Sequence, residues 1–215
     1  MIVKKDAIVI KSFSYGESSL IGRVLLNNGE KTSIMIKGAK SLKSNKTALF
    51  QSMNFIQMDY YHKENRDIQL FKEGNLINGF VNIKKNFKSI SYGLCLIDII
   101  DKALPKHYKD QSMFDIAYKS LFRINNNENY KIIFIYFLLA FSHYNGYSIN
   151  DLKFNSLQSN QALQLFIVDN EKYSYSKIKE SMHNIELNKL IKSLLSIIRF
   201  HIPEMKNVKT LKFIN

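Results

Sequence analysis

A chain of 215 residues with 46% hydrophobic and 13% aromatic content can bury a substantial core, which excludes general disorder. Its formal net charge of +13 and a pI near 9.6 call for a polyanionic partner, either nucleic acid or an acidic membrane surface. Only four of the 31 basic residues are arginine (Arg23, Arg66, Arg123, Arg199), and lysine offers point charges rather than bidentate forks, so the balance favours backbone contact over base-specific reading. Part of the lysine excess is compositional, since Asn and Ile are abundant as well.

The N-terminus, Met1 to Asp6, places charges where a signal peptide needs its apolar core, and it reads directly as a strand. Five short β-rich runs follow, at 7–10, 20–26, 32–36, 55–61 and 67–71, separated by turn material such as Asn27-Asn28-Gly29-Glu30 and Lys63-Glu64-Asn65-Arg66. Five strands in about eighty residues predict a small closed barrel. Between the third and fourth runs, Lys37, Lys40, Lys43 and Lys46 recur every third residue with no acid among them. Gly38, Ala39, Ser41 and Ser44 keep this loop open to a backbone, and each ammonium can displace a counterion from a nucleic-acid strand.

Near residue 80 the period becomes helical. A helix is expected over 89–104, stopped by Pro105, and Ser112-Met113-Phe114-Asp115 reads as a capping box opening a second. Tyr130 to Tyr144 is apolar nearly all round and belongs at the centre of a bundle. Its longest apolar run, Ile132 to Phe141, is half what a membrane span requires, so no membrane is expected. Leu187, Leu190, Ile191, Leu194, Ile197 and Ile198 form one face of a late amphipathic helix, with Lys189, Lys192 and Arg199 opposite. Residues 148–176 read as an irregular insertion, with a hairpin drawn from Leu163 to Tyr175.

Catalytic motifs are missing: there is no phosphate-binding glycine loop, no dinucleotide fingerprint and no metal-binding His or Cys cluster. A single cysteine, Cys95, can form neither an internal disulfide nor a thiolate zinc site, and it points to the cytosol. The one acid pair at helical spacing is Asp98 and Asp101, where a metal-dependent nuclease places ligands, but Lys102 stands beside it and no third acid is near. The five histidines are scattered. No enzyme and no cofactor are expected.

The order of motifs resembles the bacterial RecO recombination-mediator family. Met1 to Ile10, then Tyr15-Gly16-Glu17-Ser18-Ser19-Leu20-Ile21, then Lys37-Gly38-Ala39-Lys40 is similar to that family's opening. Leu49-Phe50-Gln51 and Asp59-Tyr60-Tyr61 fall where the family has its remaining barrel strands. Leu104-Pro105, Phe114-Asp115, Asn145-Gly146-Tyr147, Ile198 to His201 and Leu211-Lys212-Phe213 continue the likeness in order. The resemblance implies an α+β chain: an N-terminal OB-fold β-barrel, residues 1–80, followed by an all-α helical domain, residues 81–215. It implies a non-enzymatic, bacterial, nucleoid-associated protein that binds single- and double-stranded DNA and anneals complementary strands. With RecR, such a protein helps load recombinase onto DNA coated by single-stranded DNA-binding protein.

On that resemblance Lys37, Lys40, Lys43 and Lys46, with Arg23, are assigned to phosphate, and Tyr15, Tyr60 and Tyr61 to base stacking. Arg123, Lys131, Lys189, Lys192 and Arg199 are candidates to rim a cleft in the helical domain for the acidic, apolar-ended tail of the single-stranded DNA-binding protein. Many relatives carry a four-cysteine zinc ribbon just beyond the position of Gly146-Tyr147. Here 148–176 contains no cysteine, so a zinc-free variant is expected. Two other classes stay open from the residues alone: an OB-fold RNA-binding protein and the metal nuclease.

Overall fold

A computed structural model of the chain describes residues 1–105, 108–147, 175, 179, 182 and 186–214. The insertion around 148–176, including the expected hairpin, lies outside the described residues apart from Tyr175, and so does His107.

Five strands close a barrel in the order β1-β2-β3-β5-β4: β1 (Ile2–Tyr15), β2 (Ser19–Leu26), β3 (Lys31–Ile36), β4 (Phe55–Tyr61) and β5 (Ile68–Asn78). β3 and β5 pair in parallel and every other neighbour pair is antiparallel. Closure needs a staggered register, and this explains why β1 runs on to Tyr15, past residues 1–10 that the sequence reads as strand. Its first half pairs with β4 (Ile2↔Tyr61 to Ile8↔Phe55) and its second with β2 (Ala7↔Leu26 to Tyr15↔Ser19). Inward positions fill the barrel with Ala7, Val9, Val24, Leu26, Ile34, Ile36, Ile56 and Met58. A short helix, α1 (Lys46–Leu49), ends in Phe50, fully buried and edge-on to Phe71 at 5.1 Å. Leu49-Phe50-Gln51 is therefore a plug rather than a strand. Gly22 makes room for it, since a Cβ there would lie 2.7 Å from the Phe50 ring.

A register shift between Val9 and Lys11 decides how the two halves meet. The extra residue puts Ile10 and Lys11 on the same outer face instead of opposite ones. Ile8, Ile10 and Leu25, outward by alternation with Ala7, Val9 and Val24, join the helical core, so one hydrophobic cluster spans both halves, and the bulge turns Lys11 outward beside them. The β2–β3 turn docks too. Gly29 (φ +84) meets the backbone of Asp110 so closely that a Cβ would lie 2.0 Å from its carbonyl oxygen, and Glu30 pairs with Lys109 at 3.3 Å.

Among the described residues the helical half contains α2 (Val81–Lys85), α3 (Phe87–Ala103), α4 (Gln111–Asn125), α5 (Tyr130–Tyr144) and α6 (Leu187–His201), then the 3-10 turns Pro203–Asn207 and Lys209–Phe213. Asn86, Asp110 and Asn129 cap α3, α4 and α5 by accepting first-turn amide hydrogens. The cap of α4 is thus Asp110, and Ser112 lies in the first turn instead of opening a capping box. In α5 every residue from Ile133 to Ser142 is buried, as an all-round apolar helix must be.

Candidate nucleic-acid interface

Along the outer face of β1 and β2 the surface changes character in steps. Ile8, Ile10 and Leu25 lie under the helices. One rung on, Lys11 faces Arg23 across the strands, and both reach the carboxylate of Asp101 near the end of α3, at 2.6 and 2.7 Å. Beyond them Phe13, 47% exposed, faces Ile21, and Tyr15, 53% exposed, closes the strand opposite Ser19. The free outer face begins where the helical half ends. From Phe13 and Ile21 an apolar line continues sideways across the register through Met35, Leu70 and Tyr61, which is 41% exposed. Aromatic and aliphatic rungs of this kind suit stacked bases. Phe13 was not singled out in the sequence. Strict alternation from Ala7 and Val9 would have turned it inward, but the bulge at Ile10 shifts the parity.

The lysine loop stands against the β1–β2 turn. The Lys40 amide donates to the Ser18 carbonyl at 3.0 Å and its ammonium to Gly16 at 3.0 Å, while the Lys46 ammonium donates to the Lys37 carbonyl at 3.2 Å. Thr47 ties the other side, its hydroxyl donating to Ala39 at 2.8 Å. Two of the four lysines thereby hold the loop's shape, and Lys37 and Lys43 stand exposed. Tyr15 begins the same turn, so ammonium groups and an exposed ring meet at one corner of the barrel.

Two sequence assignments change role. Tyr60 faces inward and is 4% exposed; burial and the nearby Glu30 charge raise its phenol pKa, so it belongs to the core and not to the outer surface. Arg23 is held by Asp101. The Asp101 side chain is fully buried and also lies 3.5 Å from Lys102. Burial pushes its carboxyl pKa up, but hydrogen bonds and charge from Lys11 and Arg23 outweigh this and leave it below the usual carboxylate range. Lys31 adds a second tie by donating to the Asp101 and Leu104 carbonyls, where the α3 dipole is negative. Burial brings its pKa down to about 8 despite the Asp101 charge. The carboxylate that sequence spacing offered to a metal is therefore occupied by cations, and Asp98 accepts from the Thr210 hydroxyl at 3.0 Å. No group of three or more His, Cys, Asp or Glu side chains placed to hold a metal occurs among the described residues.

A cleft of about 340 Å³ opens between the β2–β3 surface and the β4–β5 turn. Gln69, 5% exposed, shapes that turn: its Oε1 accepts from the Lys63 amide at 2.8 Å, and its Nε2 donates to the Lys63 and Arg66 carbonyls at 2.9 and 2.7 Å. This leaves Arg66 exposed on the rim. In OB-type barrels the strand 2–3 face and the loops between strands 1–2 and 4–5 form the oligonucleotide site, and here all three carry the features just described.

On the helical half, Lys189, Lys192 and Arg199 lie along one exposed stripe of α6. Lys131, at the start of α5, shares a shallow cleft of about 280 Å³ with Lys189, Leu187 and Glu186. Arg123 is occupied, 3.5 Å from Glu128 and 4.0 Å above the Tyr175 ring. Among the described residues no helix is long and apolar enough to cross a membrane.

Comparison with known proteins gives the family. The family model described as "Recombination protein O N terminal" matches residues 1–80, and "Recombination protein O C terminal" matches 84–151. A DNA repair protein RecO of Salinibacter ruber is 29% identical over 124 residues, 58% of this chain and 48% of that protein. Those of Pelodictyon phaeoclathratiforme and Chlorobium limicola are each 28% identical, over 142 and 140 residues, covering 66% and 65% of this chain and 54% of each relative. The matched stretch spans about half the length of these curated relatives. Two adjoining family matches across a five-stranded barrel and the helices that follow it place the chain in the RecO family.

Proposed function

We propose that the chain is a recombination mediator that binds single- and double-stranded DNA on its barrel and anneals complementary strands. It works with RecR and single-stranded DNA-binding protein to help load recombinase, in association with the nucleoid. The observation that carries this is the corner where Lys37, Lys40, Lys43 and Lys46 meet Tyr15 and Phe13, on a barrel of the RecO family. Ammonium groups on a strand's phosphates and rings against its bases bind without regard to sequence. Annealing of arbitrary complements needs that tolerance. In the helical half, the Lys131–Lys189 cleft and the α6 stripe of Lys192 and Arg199 are the proposed receptor for the acidic tail of the single-stranded DNA-binding protein, with Arg123 at its margin.

The deciding experiment mixes complementary oligonucleotides with and without the purified chain, in the absence of ATP, and follows duplex formation. Marked acceleration is expected. No acceleration by protein that is folded and binds each strand would refute the annealing role. Competition with RNA of the same sequence separates this reading from RNA binding. Tail binding is tested on the whole chain with Lys189→Glu and Lys192→Glu, because Ile8, Ile10 and Leu25 belong to the helical core and an isolated helical half would lack them.

A further inference from the structure

We propose that the cleft beside the β4–β5 turn receives one unstacked base of a bound single strand and so favours unpaired over paired DNA. This rests on the reading of the barrel as a DNA-binding surface and names a site within it. At about 340 Å³ the cleft lies in the size range of small-ligand pockets and can admit a base with its sugar. Its lining selects the chemistry. Phe13, Ile21 and Ile68 offer aromatic and aliphatic surface, and Thr32 and Ser33 offer hydroxyl groups. Glu30 and Asp67 also stand on the wall and oppose entry of a phosphate, while Arg23 and Lys31 are already engaged at Asp101 and the end of α3. A neutral planar ring with hydrogen-bonding edges satisfies these surfaces, and an anion does not.

The surroundings supply the rest of a strand. Arg66 is exposed on the rim and can take a phosphate on one side of the inserted base. On the other side Phe13 and Tyr15 point the same way along β1, about 7 Å apart at strand spacing, and lead to the lysine loop. Gln69 is a positioning residue. Its amide is spent on three bonds to the turn backbone, so the wall stands in place without a ligand and binding has little loop ordering to offset. A base in duplex must first be unpaired and unstacked to enter, whereas one in a single strand need not be.

Two measurements on the full chain test this. A short oligothymidylate bearing iododeoxyuridine is bound to the wild-type protein and irradiated, and the adducts are mapped by mass spectrometry. Adducts on Phe13 or on His62, which also lines the cleft, are expected; adducts confined to residues outside the cleft would overturn the site. Ser33→Phe fills the cleft without changing charge. It is expected to weaken single-strand binding about fivefold or more, the loss of one stacked base, while salt dependence and duplex affinity stay as in wild type. Equal weakening on single strand and duplex, or none on either, would also overturn it. A wild-type chain that binds no DNA at all fails earlier, at the mediator reading itself.

Discussion

Replacing Lys37 and Lys43 together by alanine tests the lysine loop most directly, because these two are exposed and, unlike Lys40 and Lys46, are not tied to backbone carbonyls. Each phosphate neutralised on a single strand contributes about −0.7 to the slope of log affinity against log salt, so losing both contacts flattens the slope by about 1.4. Removing all four approaches about 2.8, the limit of four contacts, and it also cuts the ties to Gly16 and Lys37 that fix the loop. The assay is fluorescence anisotropy of a short labelled oligothymidylate across a salt series. The control pair must be exposed lysines away from the barrel. Lys85 and Lys88 qualify, whereas Lys84 donates to Asn54 at 2.6 Å and Lys102 stands 3.5 Å from Asp101, so changing either disturbs structure. Equal flattening by the loop pair and the control pair would show that the chain binds through diffuse charge, and the loop would lose its claim to be a site.

Asp101→Asn should cost about 3 kcal/mol, the low end for breaking a buried pair because Lys11 and Arg23 remain 39% and 35% exposed. For a chain of this size that lowers Tm by roughly 6–12 °C, and a loss under about 2 °C would contradict the joint described above. Since the folded Asp101 pKa is depressed, its contribution is present above about pH 4 and fades as pH falls through the lower folded value, so the mutant should lose less stability than wild type on acidification. Gly29→Ala and Gly38→Ala share a positive φ but differ in space: at Gly38 nothing lies within 4 Å and strain alone costs about 1 kcal/mol, whereas at Gly29 the Asp110 backbone must move. Denaturant titration should show Gly29→Ala at least roughly twice as costly, and equal losses would deny the docked turn. Cys95 is fully buried and burial pushes its thiol pKa up to about 12, so alkylation at pH 8 should follow global unfolding; rapid labelling of folded protein would contradict its placement.

The sequence carried the helices well where the period was strong. Tyr130 to Tyr144 has the same bounds in the structure, and the α6 face is the one its spacing shows. The barrel was legible as five strands, but the lengths of β1 and β5 were not. In those strands the alternation is broken by bulges, at Ile10 in β1 and in the β4–β5 pairing at Phe55/Ile56 and Asp59/Tyr60, and their far ends are strand because closure demands the stagger. Lys46–Leu49 reads as loop because four residues are too few to show a period. Phe50, buried beside Phe71, is long-range information that no local pattern contains. At the site, the lysine spacing was visible, yet Phe13 and Gln69 were not. The first depends on the parity shift at Ile10, and the second on a loop that folds back onto its side chain.

Charge is where sequence reasoning most overcounts. Lys11, Arg23, Lys31 and Lys102 all contribute to the formal +13, and all four converge on Asp101 and the end of α3. Their work is to fasten the helical half to the barrel. The same fastening sets the geometry of the candidate interface: it covers the inner end of β1 and β2, holds the β2–β3 turn at Asp110, and leaves the outer end with Phe13, Tyr15 and the lysine loop free. A polyanion laid on this barrel would therefore meet a rigid boundary on one side and exposed ammonium groups on the other. The basic residues left for such a partner are those the joint has not already used.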